Sequence, residues 1–155
     1  FSNLQKSLLE ISDSGISGLV LFNRTYYSDI DINNFKSVQG QIQSSDKEYL
    51  RPLHWISLIA DKIKCSLVAS SGIHDADTLI KMILAGADAV QVVSALYLHG
   101  KDYINQLLNG LDQWMEKQGF SSVDQFKGKA RITGSTDPVV QERIQFMKYF
   151  GRIGN

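Results

Sequence analysis

Ser66–Gly100, SLVASSGIHDADTLIKMILAGADAVQVVSALYLHG, decides how the rest of the chain is read. An apolar run (Leu67, Val68, Ala69) enters the turn Ser70-Ser71-Gly72. A second apolar run (Ala89, Val90, Val92, Val93) ends at Ser94. Between them Ala76, Leu79, Ile80, Ile83 and Leu84 recur at the spacing of one helical face. His74 or Asp75 is placed to cap that helix and Gly86 to end it. The pattern predicts strand, helix, strand. Neither run alternates apolar with polar residues, as expected of parallel strands covered on both faces. Both strand ends pass into small or hydroxyl residues where a helix begins, and backbone N–H groups at such junctions can face an anion. Two successive ends of this kind point to one shared phosphate site, as after the seventh and eighth strands of a (βα)8 barrel.

Working outward, Phe1 to Ser14 reads as a helix with Leu4, Leu8 and Ile11 inward and Gly15 as its stop. Gly18 to Phe22 reads as a buried strand ending in the polar cluster Asn23-Arg24-Thr25. A long polar loop, 24–44, follows, in which Phe35–Val38 and Gln41–Gln43 around Gly40 are expected to pair as a hairpin. Ser45 and Glu48 have capping-box spacing ahead of a helix marked by Leu50, Leu53, Ile56 and Ile59, with Pro52 starting or bending it. Lys101 to Gln118 is the clearest helix, with Ile104, Leu107, Leu108, Leu111, Trp114 and Met115 on one face. A helical tail, 120–155, holds a short capped turn at Ser122–Gln125 and a last helix over 139–150. The expected fold is α/β: one partial domain, the C-terminal half of a (βα)8 TIM barrel, with about three parallel strands. A doubly wound sheet would give the same alternation.

Composition narrows the function classes. The 155 residues carry 16 basic and 16 acidic side chains, so no basic footprint suggests nucleic acid. Apolar runs are too short for a membrane span. The single cysteine excludes an internal disulfide and fits a reducing compartment, hence a cytoplasmic location. The chain opens at Phe1 inside helix-like sequence, which is read as the mark of a processed chain or a fragment.

The residues GLVLFNR (Gly18–Arg24), SSGI (Ser70–Ile73), AGAD (Ala85–Asp88) and VQVVSAL (Val90–Leu96) resemble the C-terminal half of the dihydroorotate dehydrogenase family, flavin enzymes on a (βα)8 barrel. The likeness reaches to about Trp114 and implies FMN as cofactor. Family members oxidise dihydroorotate to orotate in pyrimidine biosynthesis, one proton leaving to a base and a hydride passing to FMN. By the resemblance, Ser71, Gly72, Val93 and Ser94 bind the FMN phosphate and Asn23 faces a small anionic substrate; Arg24 beside it can bind a carboxylate of that substrate bidentately or form a surface salt bridge. The sequence departs from the family where Ser71 and Val93 replace glycines, where Arg24 replaces a serine or threonine, and where a Gly-Gly pair is missing near Ser44–Lys47. The family's catalytic base and flavin-contacting lysines would lie before Phe1, so no catalytic residue is assigned in this chain. Alone it is expected to be inactive, to bind FMN weakly, and to form a homo-oligomer that covers apolar strand faces. Gly72→Leu is expected to abolish FMN retention with the fold intact.

Other candidates have simpler readings. Cys65 precedes its strand, at the end opposite to barrel chemistry. His74 reads as a helix cap, with cofactor contact as the alternative; His54 and His99 read as structural. Asp29, Asp31, Asp75 and Asp77 suit loop and cap roles, so no metal is expected. Two other functions stay open: another phosphate-binding TIM-barrel enzyme, and a non-catalytic nucleotide-binding α/β module.

Overall fold

Short apolar runs alternate with amphipathic segments, and the backbone follows that alternation. The computed structural model describes residues 3–133. Helix α1 (Leu4–Asp13) leads into β1 (Gly18–Leu21), followed by β2 (Ser28–Asp31) and β3 (Lys36–Gln39). Then come α2 (Leu50–Ile59), β4 (Ser66–Ala69), α3 (Ala76–Ala85), β5 (Ala89–Val90), α4 (Ser94–His99) and α5 (Tyr103–Gln118). A 3-10 turn, Val123–Gln125, closes the described order. Strands β1, β4 and β5 form one parallel sheet in the order β1-β4-β5, with Leu19 opposite Leu67 and Val68 opposite Ala89. Parallel neighbours require crossovers, and the helices supply them. This is the α/β arrangement the sequence predicts.

The register puts Leu19, Leu21, Leu67, Ala69 and Val90 on one face of the sheet, and that face is the core. Ile56, Ile59, Ala69 and Met82 are fully buried there, with Leu67 and Leu107 at 1% exposure. Fully burying one such side chain is worth about 1.5–3 kcal/mol, so this layer dominates the stability of the unit. Helix α5 comes close to α3 because Gly110 has no side chain: a Cβ there would stand 2.4 Å from the Cβ of Ala76. Trp114 stacks edge-on against buried Phe126 with ring centroids 4.9 Å apart, so the Trp114 stripe belongs to the core, as its helical spacing predicts. The opposite face of the sheet is less covered, and Val20 is 46% exposed. Two-sided burial, expected from the lack of alternation, holds for one face only among the described residues.

Several local expectations are corrected. Ile11 is 45% exposed, so α1 buries Leu8 and leaves Ile11 outside. The hairpin pairs β2 with β3, Ser28 opposite Gln39 and Asp31 opposite Lys36, so Gln41–Gln43 form no strand of it. Its turn is made by Asp31, whose Oδ1 accepts from the N–H groups of Asn33 and Asn34 at 2.9 and 3.2 Å. That Asx geometry competes better for the chain reversal than Gly40. Pro52 falls in the first turn of α2, where its missing N–H costs nothing. Strand β5 stops at Val90, and Val93 is 59% exposed rather than a strand residue. Ile104 and Leu108 stay 37% and 47% exposed on α5. The last helix expected over 139–150 lies outside the described residues.

Candidate functional site

The C-terminal ends of β1, β4 and β5 open on a cavity of about 440 Å³, and Asn23, Arg24, Ser71, Gly72, Val93 and Ser94 all line it. Residues up to 71 positions apart in the sequence are thus brought to one place by three parallel strand ends. The connection after β4 is tight. Ser71 has φ 81 and Gly72 φ 74, both in the left-handed region. A Cβ on Gly72 would stand 2.2 Å from the backbone N of Tyr49, so both conformation and close approach demand glycine there. This corrects the expectation that Gly72→Leu would leave the fold intact. The Ser71 hydroxyl donates to the Phe22 carbonyl at 2.9 Å, which joins the ends of β1 and β4 and commits that proton.

Arg24 is held by the loop in front of α2. Its Nε donates to Oε2 of Glu48 at 3.0 Å and its Nη2 to Oε1 at 3.3 Å, a forked ion pair. Nη1 donates to the carbonyls of Gln41 and Ile42. The guanidinium therefore ties the 41–48 loop to the end of β1. Glu48 Oε1 also accepts from the Ser45 N–H at 2.9 Å, so the Ser45/Glu48 box forms, but on a turn ahead of α2. Partial burial raises the Glu48 pKa, yet the Ser45 N–H and the Arg24 guanidinium outweigh it and hold the carboxyl below its ordinary range. Asn23 Oδ1 accepts from the Arg24 N–H at 2.9 Å, and its side chain stands exposed at the mouth.

On the other side, Ser94 Oγ accepts from both the N–H and the hydroxyl of Ser44, each at 3.0 Å. Ser44 is 8% exposed, and its Oγ also lies 3.0 Å from Nε2 of His74. His74 is therefore not the cap of α3. Asp75 is, its Oδ1 accepting from the Thr78 N–H at 2.7 Å. Burial raises the Asp75 pKa, but Thr78, Lys81 and His74 together bring it below the usual value. Ser44 and Glu48 are the site residues that sequence reasoning missed. Ser44 was marked only by the missing Gly-Gly of the resembled family, and Glu48 only by its capping-box spacing from Ser45.

The remaining candidates fall elsewhere. Cys65 lines a separate cavity of about 320 Å³ with Lys64, Asp88 and Lys127, at the opposite ends of the strands. His54 packs edge-on to Trp55 and His99 lies against Tyr103. Among the described residues no three His, Cys, Asp or Glu side chains cluster as a metal site. No helix among them is long and apolar enough to cross a membrane.

No family model matches the chain. Curated relatives do. It is 33% identical over 73 residues to the catalytic subunit of dihydroorotate dehydrogenase B (NAD(+)) of Pyrococcus furiosus, covering 47% of this chain and 24% of that protein. The corresponding subunit of Pelobacter propionicus matches over 120 residues at 27% identity, 76% of this chain and 39% of that one. Among solved structures, DHODH of Eimeria tenella in complex with ferulenol superposes with a TM-score of 0.64 at 20% identity, covering 81% of this chain and 35% of that one. The chain thus spans between about a quarter and two fifths of the length of these proteins. Over part of its length the chain is thus similar in sequence to dihydroorotate dehydrogenases, and its fold is similar to part of DHODH.

Proposed function

We propose that this chain carries the FMN-phosphate end of a flavin-dependent oxidoreductase that acts on a small, dihydroorotate-like anion. The observation that carries this reading is convergence. The six residues chosen for cofactor and substrate line one cavity at the C-terminal strand ends, where parallel α/β folds hold ligands. The similar proteins are dihydroorotate dehydrogenases, which supports this reaction class.

The residues fit a phosphate end by their donors. Arg24, the guanidinium lining the cavity, is committed to Glu48 and two carbonyls, so a phosphate there meets neutral hydroxyl and N–H groups first. Ser94 accepts two hydrogen bonds, which fills both lone pairs and leaves its own proton to donate. Bound FMN would supply the acceptor for a hydride. Ser94 and the backbone of Ser71, Gly72 and Val93 would hold the phosphate, and Asn23 would offer its side-chain amide to the substrate. Arg24 acts on that substrate by fixing the 41–48 loop. Proton abstraction is assigned to no residue of this chain.

A cytoplasmic location, a role in pyrimidine biosynthesis and self-association belong to the same proposal. The exposed Val20, and the two edges of the β1-β4-β5 sheet that pair with no strand among the described residues, support the last of these. The test is the absorbance of the purified full-length protein. Flavin bands that dihydroorotate bleaches support the reading. A colourless protein that binds other phosphate esters would instead make it a different phosphate-binding barrel or a non-catalytic nucleotide-binding module. Light scattering after size exclusion tests self-association, and a monodisperse monomer of this chain contradicts it.

A further inference from the structure

We infer that His74 is a positioning residue of the anion site: through Ser44 it orients the Ser94 hydroxyl so that its proton faces the cavity. The inference rests on the phosphate reading above and assigns to that site a residue outside its lining. Three segments meet here in one hydrogen-bonded chain, His74 after β4, Ser44 in the loop ahead of α2, and Ser94 after β5. A hydroxyl has one proton and two lone pairs, and with the bond between the two hydroxyls running from Ser44 to Ser94 the rest of the chain follows. Ser94 Oγ accepts from the Ser44 N–H and the Ser44 O–H, each at 3.0 Å, so its own proton must go elsewhere. Ser94 lines the cavity, and the cavity is where that proton can go. In that arrangement Ser44 accepts from His74, whose Nε2, 3.0 Å away, carries the hydrogen in the matching tautomer.

The backbone that carries the imidazole is held, because the Tyr103 hydroxyl donates to the His74 carbonyl at 3.0 Å and the next residue, Asp75, caps α3. Ser44 is 8% exposed, so water does not freely replace either of its partners. Every donor thus points the same way, from His74 Nε2 to Ser44 to Ser94 to the ligand. Aligned hydrogen bonds polarise one another, so the last donor is stronger with the first in place. Without His74, the Ser44 hydroxyl is released from its acceptor role and can turn its proton away. Ser94 is then no longer obliged to aim at the cavity.

The test is FMN binding to the full-length protein, followed by quenching of flavin fluorescence, with riboflavin as the ligand that lacks the phosphate. His74→Ala should weaken FMN about tenfold, the scale of one lost hydrogen bond, and leave riboflavin unchanged. His74→Gln should restore most of the affinity, since its amide N–H can replace Nε2–H. The double variant His74→Ala, Ser94→Ala should bind FMN no more weakly than Ser94→Ala alone, because both act through one hydroxyl. Unchanged FMN affinity in His74→Ala, or equal losses for FMN and riboflavin, would overturn the positioning role while the phosphate reading stands. A parent protein that binds neither FMN nor inorganic phosphate would overturn both.

Discussion

The two ends of the β1-β4-β5 sheet are both polar, yet they are polar in opposite ways. At the N-terminal ends the charged groups answer one another. Asp88 Oδ2 accepts from the Leu67 N–H at 2.7 Å while its Oδ1 takes Lys127 at 2.8 Å, and Lys64 pairs with Asp13 at 2.9 Å. Ser12 Oγ accepts from the Lys64 N–H at 2.9 Å. Those contacts close the end of the sheet. At the C-terminal ends Arg24 and Glu48 are likewise closed on each other, but the hydroxyl chain His74–Ser44–Ser94 finishes on a donor turned to a cavity. The proposed site is thus distinguished by how its hydrogen-bond network ends, whereas the number of charges at an end says little.

The largest effect expected on this contrast comes from Gly72. In Gly72→Ala the new Cβ would meet the Tyr49 backbone N, and the residue would keep φ 74. Left-handed strain alone is of order 1–3 kcal/mol, and a backbone clash adds to it, so urea unfolding should show a loss of more than about 3 kcal/mol. A stability within about 1 kcal/mol of the parent would mean that the loop at Glu48–Tyr49 does not press on this turn. Gly15, also at positive φ but with nothing within 4 Å, is the control, where Ala should cost about 1 kcal/mol from backbone strain alone.

Next in size is Arg24. Its forked pair with Glu48 is partly buried, the two side chains being 15% and 33% exposed. Arg24→Ala removes it together with the bonds to the Gln41 and Ile42 carbonyls, a loss of about 1–3 kcal/mol after allowing for solvent. Hydrogen exchange should speed up in residues 41–48 and stay unchanged at Leu67, on the other end of the sheet. Lys in place of Arg24 cannot make the fork and should restore only part of the protection. The pair also has a pH signature. Because the Glu48 carboxyl is held below its ordinary value, its contribution is present above the unfolded pKa, about 4.3, and is lost as pH falls through the folded one. Glu48→Gln should flatten the acid limb of the melting temperature against pH. A limb as steep as the parent's would place the protonating group elsewhere, with Asp88, likewise lowered, as the first alternative.

These residues also show what the sequence could and could not disclose. The alternation of apolar runs with helical stripes made the three parallel strands legible, because burial acts on many residues at once and leaves a periodic trace. Gly86 was legible because a cap acts within one turn, whereas the start was narrowed only to His74 or Asp75, and the cap is Asp75. Ile11, Ile104 and Leu108 were misread for the same reason: periodicity gives a face, and only tertiary contact says how much of that face is covered. The hairpin was misread because Asp31 makes its turn through side-chain bonds that composition does not weigh against a nearby glycine. The six candidate residues lie together at three strand ends, where parallel sheets place their ligands. Ser44 and Glu48 were not among them, since they reach the site from a loop 20 to 50 residues away from Arg24 and Ser94, and no local pattern encodes such a meeting.

The smallest effect, and the one that separates the two ends most sharply, is expected at Lys127. Its ion pair with Asp88 is 37% and 36% exposed, so side-chain entropy and salt screening leave it worth roughly 0.2–1 kcal/mol. Lys127→Met should therefore lower stability by at most about 1 kcal/mol, and by less still at high salt. Asp88→Ala should cost more than Lys127→Met, because it also strands the Leu67 N–H at the start of β4 without its acceptor. Asp88→Asn tests that division: the amide oxygen can still take the N–H while the charge is gone, so its cost should fall back to that of Lys127→Met. Neither change should alter FMN affinity, since both lie at the closed end of the sheet. A fall in affinity from Lys127→Met comparable to that from His74→Ala would mean that the N-terminal cavity, and not the open end of the hydroxyl chain, meets the anion.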